Sequence, residues 1–123
     1  MNTKTVNVQV LALLGDAIFS LYIREELLRL GINHPKKLQE KSVKYVSAKG
    51  QVDILNMLIE NNILTEEELD IVKRGRNNKK ENHPKNTEII TYKLSTGFEA
   101  LLGDLYLNNK ERLNEILSKI EVK

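Results

Sequence analysis

Two acidic residues set in apolar, helix-forming sequence are the candidates for chemistry: Asp16 within residues 11–24 (LALLGDAIFSLYIR) and Glu99 within residues 98–107 (FEALLGDLYL). In the first stretch Leu14, Ile18 and Leu21 fall at helical spacing with Leu13 and Ala17 beside them, which predicts a buried helix. A carboxylate on such a helix must be paired, hydrogen-bonded or bound to a cation, because desolvating an unpaired charge is costly. Gly15 precedes it. Glycine inside a helix costs about 1 kcal/mol relative to alanine, so it marks close packing or the approach of a ligand. The pentapeptide ALLGD recurs at 100–104. There Glu99 and Gly103 share one helix face, whereas Asp104 lies about 140° around from Glu99, near the helix end, where it is expected to face solvent. Glu99 is therefore the second candidate. If the two helices pack together, the glycines permit close approach and the carboxylates converge. Such a pair serves as general acid and base or as ligands for a hard cation. A structural role is equally open, with each acid capping a neighbouring helix or pairing with an arginine such as Arg24.

The elements that must position these acids are all helical. A first helix is predicted from Thr5 or Asn7 to Leu30, stopped by Gly31. A second spans Lys36 to Ala48 with Pro35 at its first position, Leu38, Val43 and Val46 facing in and Lys37, Lys41 and Lys44 along another side. A third covers 51–61, burying Val52, Leu55 and Ile59. Thr65 and Glu68 form a capping box for a fourth, Glu66 to Arg74. Residues 73–86 (KRGRNNKKENHPKN) break the periodicity and read as a long basic loop, a feature that is uncommon in compact domains and often functional. Asn86 or Thr87 caps the next helical region, to Leu107 with a possible break near Ser95. The last helix covers Lys110 to Ile120. Strand alternation and solenoid repeats are missing, which predicts one all-α domain over residues 1–123.

Composition narrows the chemistry further. The absence of cysteine and tryptophan excludes disulfides, thiolate metal sites and cysteine nucleophiles. The short polar start argues against a signal peptide, no apolar run reaches spanning length, and a cytoplasmic location is expected. The net charge of +2 hides strong segregation: residues 34–50 carry +4, 51–72 carry −6 and 73–86 carry +5. Two basic segments flanking an acidic one can fold into a face for a polyanion, or remain ordinary solvated surface. His34 and His83 each precede a proline and read as loop residues rather than bases.

Residues 13–17 (LLGDA) resemble the signature helix of the ribonuclease III endonuclease domain, and residues 98–107 resemble its second catalytic helix. Together with 45–49 (YVSAK), 74–77 (RGRN), 84–87 (PKNT) and 92–99 (YKLSTGFE), the set resembles the Mini-ribonuclease III branch of that family over nearly the whole chain. Two departures from full-length ribonuclease III stand out. Ala12 replaces a glutamate and Thr96 an aspartate, as in the Mini branch, which leaves Asp16 and Glu99 as catalytic residues and metal ligands. The chain is also expected to lack the appended double-stranded-RNA-binding domain. The resemblance implies a homodimer that hydrolyses double-stranded RNA with Mg²⁺, Mn²⁺ being a substitute, to leave 5′-phosphate and 3′-hydroxyl ends in the maturation of precursor 23S ribosomal RNA. A-form RNA is recognised through shape, 2′-hydroxyls and phosphates. Lys49, Arg74, Arg76, Asn77, Lys79, Lys80 and Lys85 suit that task, and Phe19 or Tyr22 are candidates for the twofold contact. The competing reading is a non-catalytic helical adaptor for duplex RNA, favoured if Ala12 and Thr96 have abolished cation binding.

Overall fold

A computed structural model describes residues 1–78 and 88–123. After a 3₁₀ turn at Thr3–Thr5, the chain forms α1 (Val8–Arg29), α2 (Pro35–Val46), α3 (Ala48–Glu60), α4 (Glu66–Arg76), α5 (Ile89–Asn108) and α6 (Lys110–Ser118), and no strand occurs among the described residues. The expected all-α class holds. Among the described residues no helix is long and apolar enough to cross a membrane.

The helix starts follow from local chemistry. The Asn7 side chain accepts a hydrogen bond from the Gln9 N–H to begin α1, and Gly31, at φ +93°, lets the chain turn away after its end. Pro35 opens α2 as expected, with His34 as its N-cap. The capping box at Thr65 and Glu68 is complete in both directions. Glu68 is also buried against Arg112 of α6, whose Nε and Nη2 donate to its two oxygens at 2.8 and 2.9 Å. The Arg112 hydrogen bonds hold the Glu68 carboxyl below its ordinary range, outweighing the opposing effect of burial.

Several boundaries differ from the sequence expectation. α2 ends at Val46 rather than Ala48, because Ser47 serves as the C-cap of α2 and the N-cap of α3. α4 continues through Arg76, so Lys73, Arg74 and Arg76 are helical rather than part of a loop. α5 runs unbroken past Ser95, where the Ser95 and Thr96 hydroxyls both donate to the Tyr92 carbonyl. α6 stops at Ser118, two residues early.

The core assembles around α5. From Ser95 to Leu105 every residue of this helix is buried except Glu99, which is partly covered. The face of α1 that meets it carries Leu11, Gly15, Phe19, Ile23 and Leu27, spaced by four. That corrects the predicted stripe: Leu21 and Leu13 are 67% and 73% exposed, and Leu14 and Ile18 only partly buried. Phe19 packs edge-on against Phe98, with ring centroids 5.3 Å apart, which removes it from any twofold contact. On α2 the buried residues are Ser42 and Tyr45 rather than Val43, and on α3 Leu58 replaces Ile59 beside Leu55.

Candidate active site

Both ALLGD glycines lie where α1 and α5 cross. A β-carbon on Gly15 would overlap the Glu99 carbonyl, and one on Gly103 would overlap the Leu11 carbonyl. The two contacts step one turn along each helix in opposite senses, so the helices run antiparallel with their backbones touching. Asp16, about 100° around α1 from Gly15, is thereby turned out of the interface to its edge. There it lines, with Glu99, a single open cavity of about 410 Å³ whose wall also includes Gln9, Ala12, Leu13 and Tyr92.

Asp16 is exposed rather than buried, so the desolvation penalty inferred from its apolar neighbours does not arise. Glu99 is half covered, and its Oε2 accepts a hydrogen bond from Gln51 Nε2 at 3.2 Å. Arg24 forms no ion pair with either acid among the described residues. The two positions where carboxylates are replaced are also accounted for. Ala12 forms part of the cavity wall, and the buried Thr96 hydroxyl is committed to the Tyr92 carbonyl at 3.0 Å. Among the described residues no group of three or more histidine, cysteine, aspartate or glutamate side chains is placed to hold a metal ion, and the acids lining this cavity are Asp16 and Glu99.

Asp104 departs from expectation in the other direction. It is only 8% exposed, lies beneath the N-terminal turn and accepts a hydrogen bond from Asn108 Nδ2 at 3.4 Å, while the same amide donates to Thr3 Oγ1. It lies outside the lining of the Asp16–Glu99 cavity, so the two acids of the second stretch are separated as the helical angle requires.

The structure distributes the basic candidates unevenly. Lys49 is exposed at the start of α3 and pairs with Asp53 at 3.1 Å. Arg74 donates from Nη2 to the Val6 carbonyl at 2.6 Å, which ties α4 to the segment before α1. Arg76 Nε donates to Asn77 Oδ1 at 3.1 Å. The end of α4 is held against α5 because a β-carbon on Gly75 would press on Gly97, and one on Gly97 would overlap the Val72 carbonyl. Lys79, Lys80 and Lys85, with His83 and the expected caps Asn86 and Thr87, lie outside the described residues.

Gln51, Gln9 and Tyr92 were not singled out in the sequence as site residues. Gln51 left a usable signal: it shares a helical face with Leu55 and Leu58, and an amide on a core face requires a partner.

The Ribonuclease III domain family model matches residues 9–110. The chain belongs to the ribonuclease III domain family. Among similar proteins, the "Mini-ribonuclease 3" of Streptococcus pneumoniae is 42% identical over 119 residues, covering 96% of this chain and 93% of the relative. The "Mini-ribonuclease 3" of Staphylococcus aureus is 44% identical over 118 residues, covering 95% and 88%. A protein from Fusobacterium nucleatum with a known crystal structure superposes with a TM-score of 0.81 at 34% identity, covering 96% of this chain and 93% of its own. Membership of the ribonuclease III family makes this chain an endoribonuclease, and the match includes both Asp16 and Glu99.

Proposed function

We propose that this ribonuclease III-type endoribonuclease cleaves double-stranded RNA at the cavity between α1 and α5, with Asp16 and Glu99 as its catalytic carboxylates. The observation that carries the reading is their convergence: one acid from each of two antiparallel helices, both opening onto the same solvent-accessible cavity.

The donor set fits a hard divalent cation. It offers carboxylate oxygens only, and Mg²⁺ is commonly held by one or two carboxylates, completing its shell with water and substrate phosphate oxygens. Asp16 and Glu99 would hold Mg²⁺, or Mn²⁺ in its place. When bound, the ion supplies Lewis-acid polarisation of the phosphodiester and activation of the attacking water. The exposed carboxylate of Asp16 and the hydrogen-bonded carboxylate of Glu99 fix the negative charge that retains it. Water adds to phosphorus and the bond to the 3′ oxygen breaks, which leaves a 5′-phosphate and a 3′-hydroxyl.

Lys49, Arg74, Arg76, Asn77, Lys79, Lys80 and Lys85 bind the duplex backbone in this reading, since scattered cations and amides match an A-form groove better than base-reading side chains. A homodimer provides the second acid pair needed to cut both strands. Val10, Leu13, Leu21 and Leu28, exposed on α1, are the apolar residues available for its interface. The natural substrate is precursor 23S ribosomal RNA.

The test is cleavage of duplex RNA by the purified protein. Cutting is expected with Mg²⁺ and not with a chelator, and Asp16→Asn and Glu99→Gln each abolish it while retaining duplex binding. Binding of many duplexes without cleavage, or normal cleavage by either variant, overturns the assignment.

A further inference from the structure

Gln51 is 2% exposed, yet its hydrogen bonding is incomplete. Nε2 donates to Glu99 Oε2 at 3.2 Å and to the Val46 carbonyl at 3.1 Å, whereas Oε1 is buried with no partner among the described residues. Rotating the amide does not repair this. It would set Oε1 against two acceptors, a carbonyl and a carboxylate, so both contacts require the nitrogen where it is. A buried acceptor without a partner costs roughly 1–3 kcal/mol. An apolar side chain of similar length, such as methionine, would fill the same space without that cost. Packing alone therefore does not account for a glutamine here.

The geometry points to Gln51 as the positioning residue of Glu99, tying its carboxylate to the corner between α2 and α3. This rests on the reading of Glu99 as a catalytic carboxylate. The corner is a firm anchor. Val46 is the last residue of α2, Ser47 caps both helices and accepts a hydrogen bond from the Gly50 N–H at 3.1 Å, and a β-carbon on Gly50 would overlap the Lys44 carbonyl. Glu99 thus receives its backbone position from Gly15 on α1 and part of its side-chain orientation from α3, an element that contributes no acid to the cavity. Carboxylates that bind cations depend on such outer partners, whose loss typically lowers affinity or activity roughly 10- to 100-fold.

Gln51→Met separates positioning from stability. The variant is expected to melt at the same temperature as the parent or higher, to bind duplex RNA equally well in chelator, and to cleave roughly 10- to 100-fold more slowly under single turnover. Gln51→Glu, which sets one carboxylate against another, is expected to lose cleavage as well. An independent readout uses the metal-free parent protein: both Gln51 side-chain amide protons, observed by NMR, are displaced downfield, and in Glu99→Ala the one bonded to Glu99 loses that displacement while the one bonded to the Val46 carbonyl keeps it. This measurement stands whether or not the Gln51 variants fold.

Gln51→Met cleaving at the parent rate while Glu99→Gln is inactive would overturn the role of Gln51 alone. Glu99→Gln cleaving normally would instead overturn the underlying site. A Gln51→Met chain that melts lower and loses RNA binding together with cleavage would make Gln51 structural and overturn the proposal. So would Gln51 amide protons that are not displaced downfield in the parent, or neither of which responds to Glu99→Ala.

Discussion

Gly15 rests directly on the main-chain carbonyl of Glu99, so the helices that frame the Asp16–Glu99 cavity touch through backbone rather than side chains. The contact leaves no room for a methyl group, and neither helix backbone can step aside as a flexible side chain would.

Gly15→Ala should therefore destabilise the protein although alanine is the better helix former by about 1 kcal/mol. Forcing a methyl group into a packed contact costs roughly 1–3 kcal/mol. Urea denaturation should show a net loss, with cleavage falling further than stability because Asp16 and Glu99 are pushed apart. Gly31→Ala, at a position with open space but positive φ, offers a contrasting control: some stability is lost and the catalytic rate is kept.

Arg112→Met should reveal the buried ion pair. Glu68 would remain charged and enclosed without its partner, at a cost of about 3–5 kcal/mol near neutral pH. The pH dependence has a definite sign. A carboxyl whose folded value is lowered, as that of Glu68 is from 4.5, contributes stability that is complete above the unfolded value and is lost as pH falls through the folded one. The deficit of Arg112→Met relative to the parent should thus shrink as pH drops below 4.5, which thermal melts across an acid series can follow.

Arg76→Ala combined with Lys80→Ala should weaken duplex binding across unrelated sequences. Each lost phosphate contact lowers the slope of log affinity against log salt by about 1, so a decrease of about 2 is expected. Titration of labelled duplex at several salt concentrations measures it, and an unchanged slope would place the RNA on another surface.

Leu21→Glu should convert a dimer into a monomer in sedimentation experiments. Its side chain is exposed on α1, so the folded chain itself should lose less than about 0.5 kcal/mol. A parent protein that sediments as a monomer throughout the micromolar range would dismiss this interface.

The legible parts of the fold were those with local causes. Asn7, Pro35, Thr65 with Glu68 and Gly31 act within one helical turn, and their roles follow from residue type and spacing. The buried face of α1 was misjudged because the helix is apolar on both sides, so periodicity could not choose between Leu21 and Phe19. The choice is made by Gly15, whose backbone contact turns Phe19 inward. Gly75 falls in the stretch expected to be loop. Between two arginines and ahead of two asparagines it reads as a helix breaker, but its missing side chain is what lets α4 continue against Gly97.

At the site, the pairing of Asp16 with Glu99 was legible because both acids stand beside a glycine-mediated crossing. The solvent exposure of Asp16 was not, since it depends on which side of α1 is covered. Asp104 was misread for want of knowledge that the Thr3–Thr5 turn folds over it. The two copies of ALLGD are alike in part. Their two glycines perform the same packing task on opposite helices, and only the aspartates that follow them diverge.

The near-complete enclosure of α5 between Ser95 and Leu105 also bears on when the enzyme exists at all. Backbone amides in so covered a segment exchange with solvent only when the surrounding helices separate, so they should share the slowest, global exchange class. Glu99 should then be carried by the part of the molecule that is last to open. An intermediate lacking α1 would expose the apolar surface of α5 and would not bring Asp16 beside the cavity that Glu99 lines.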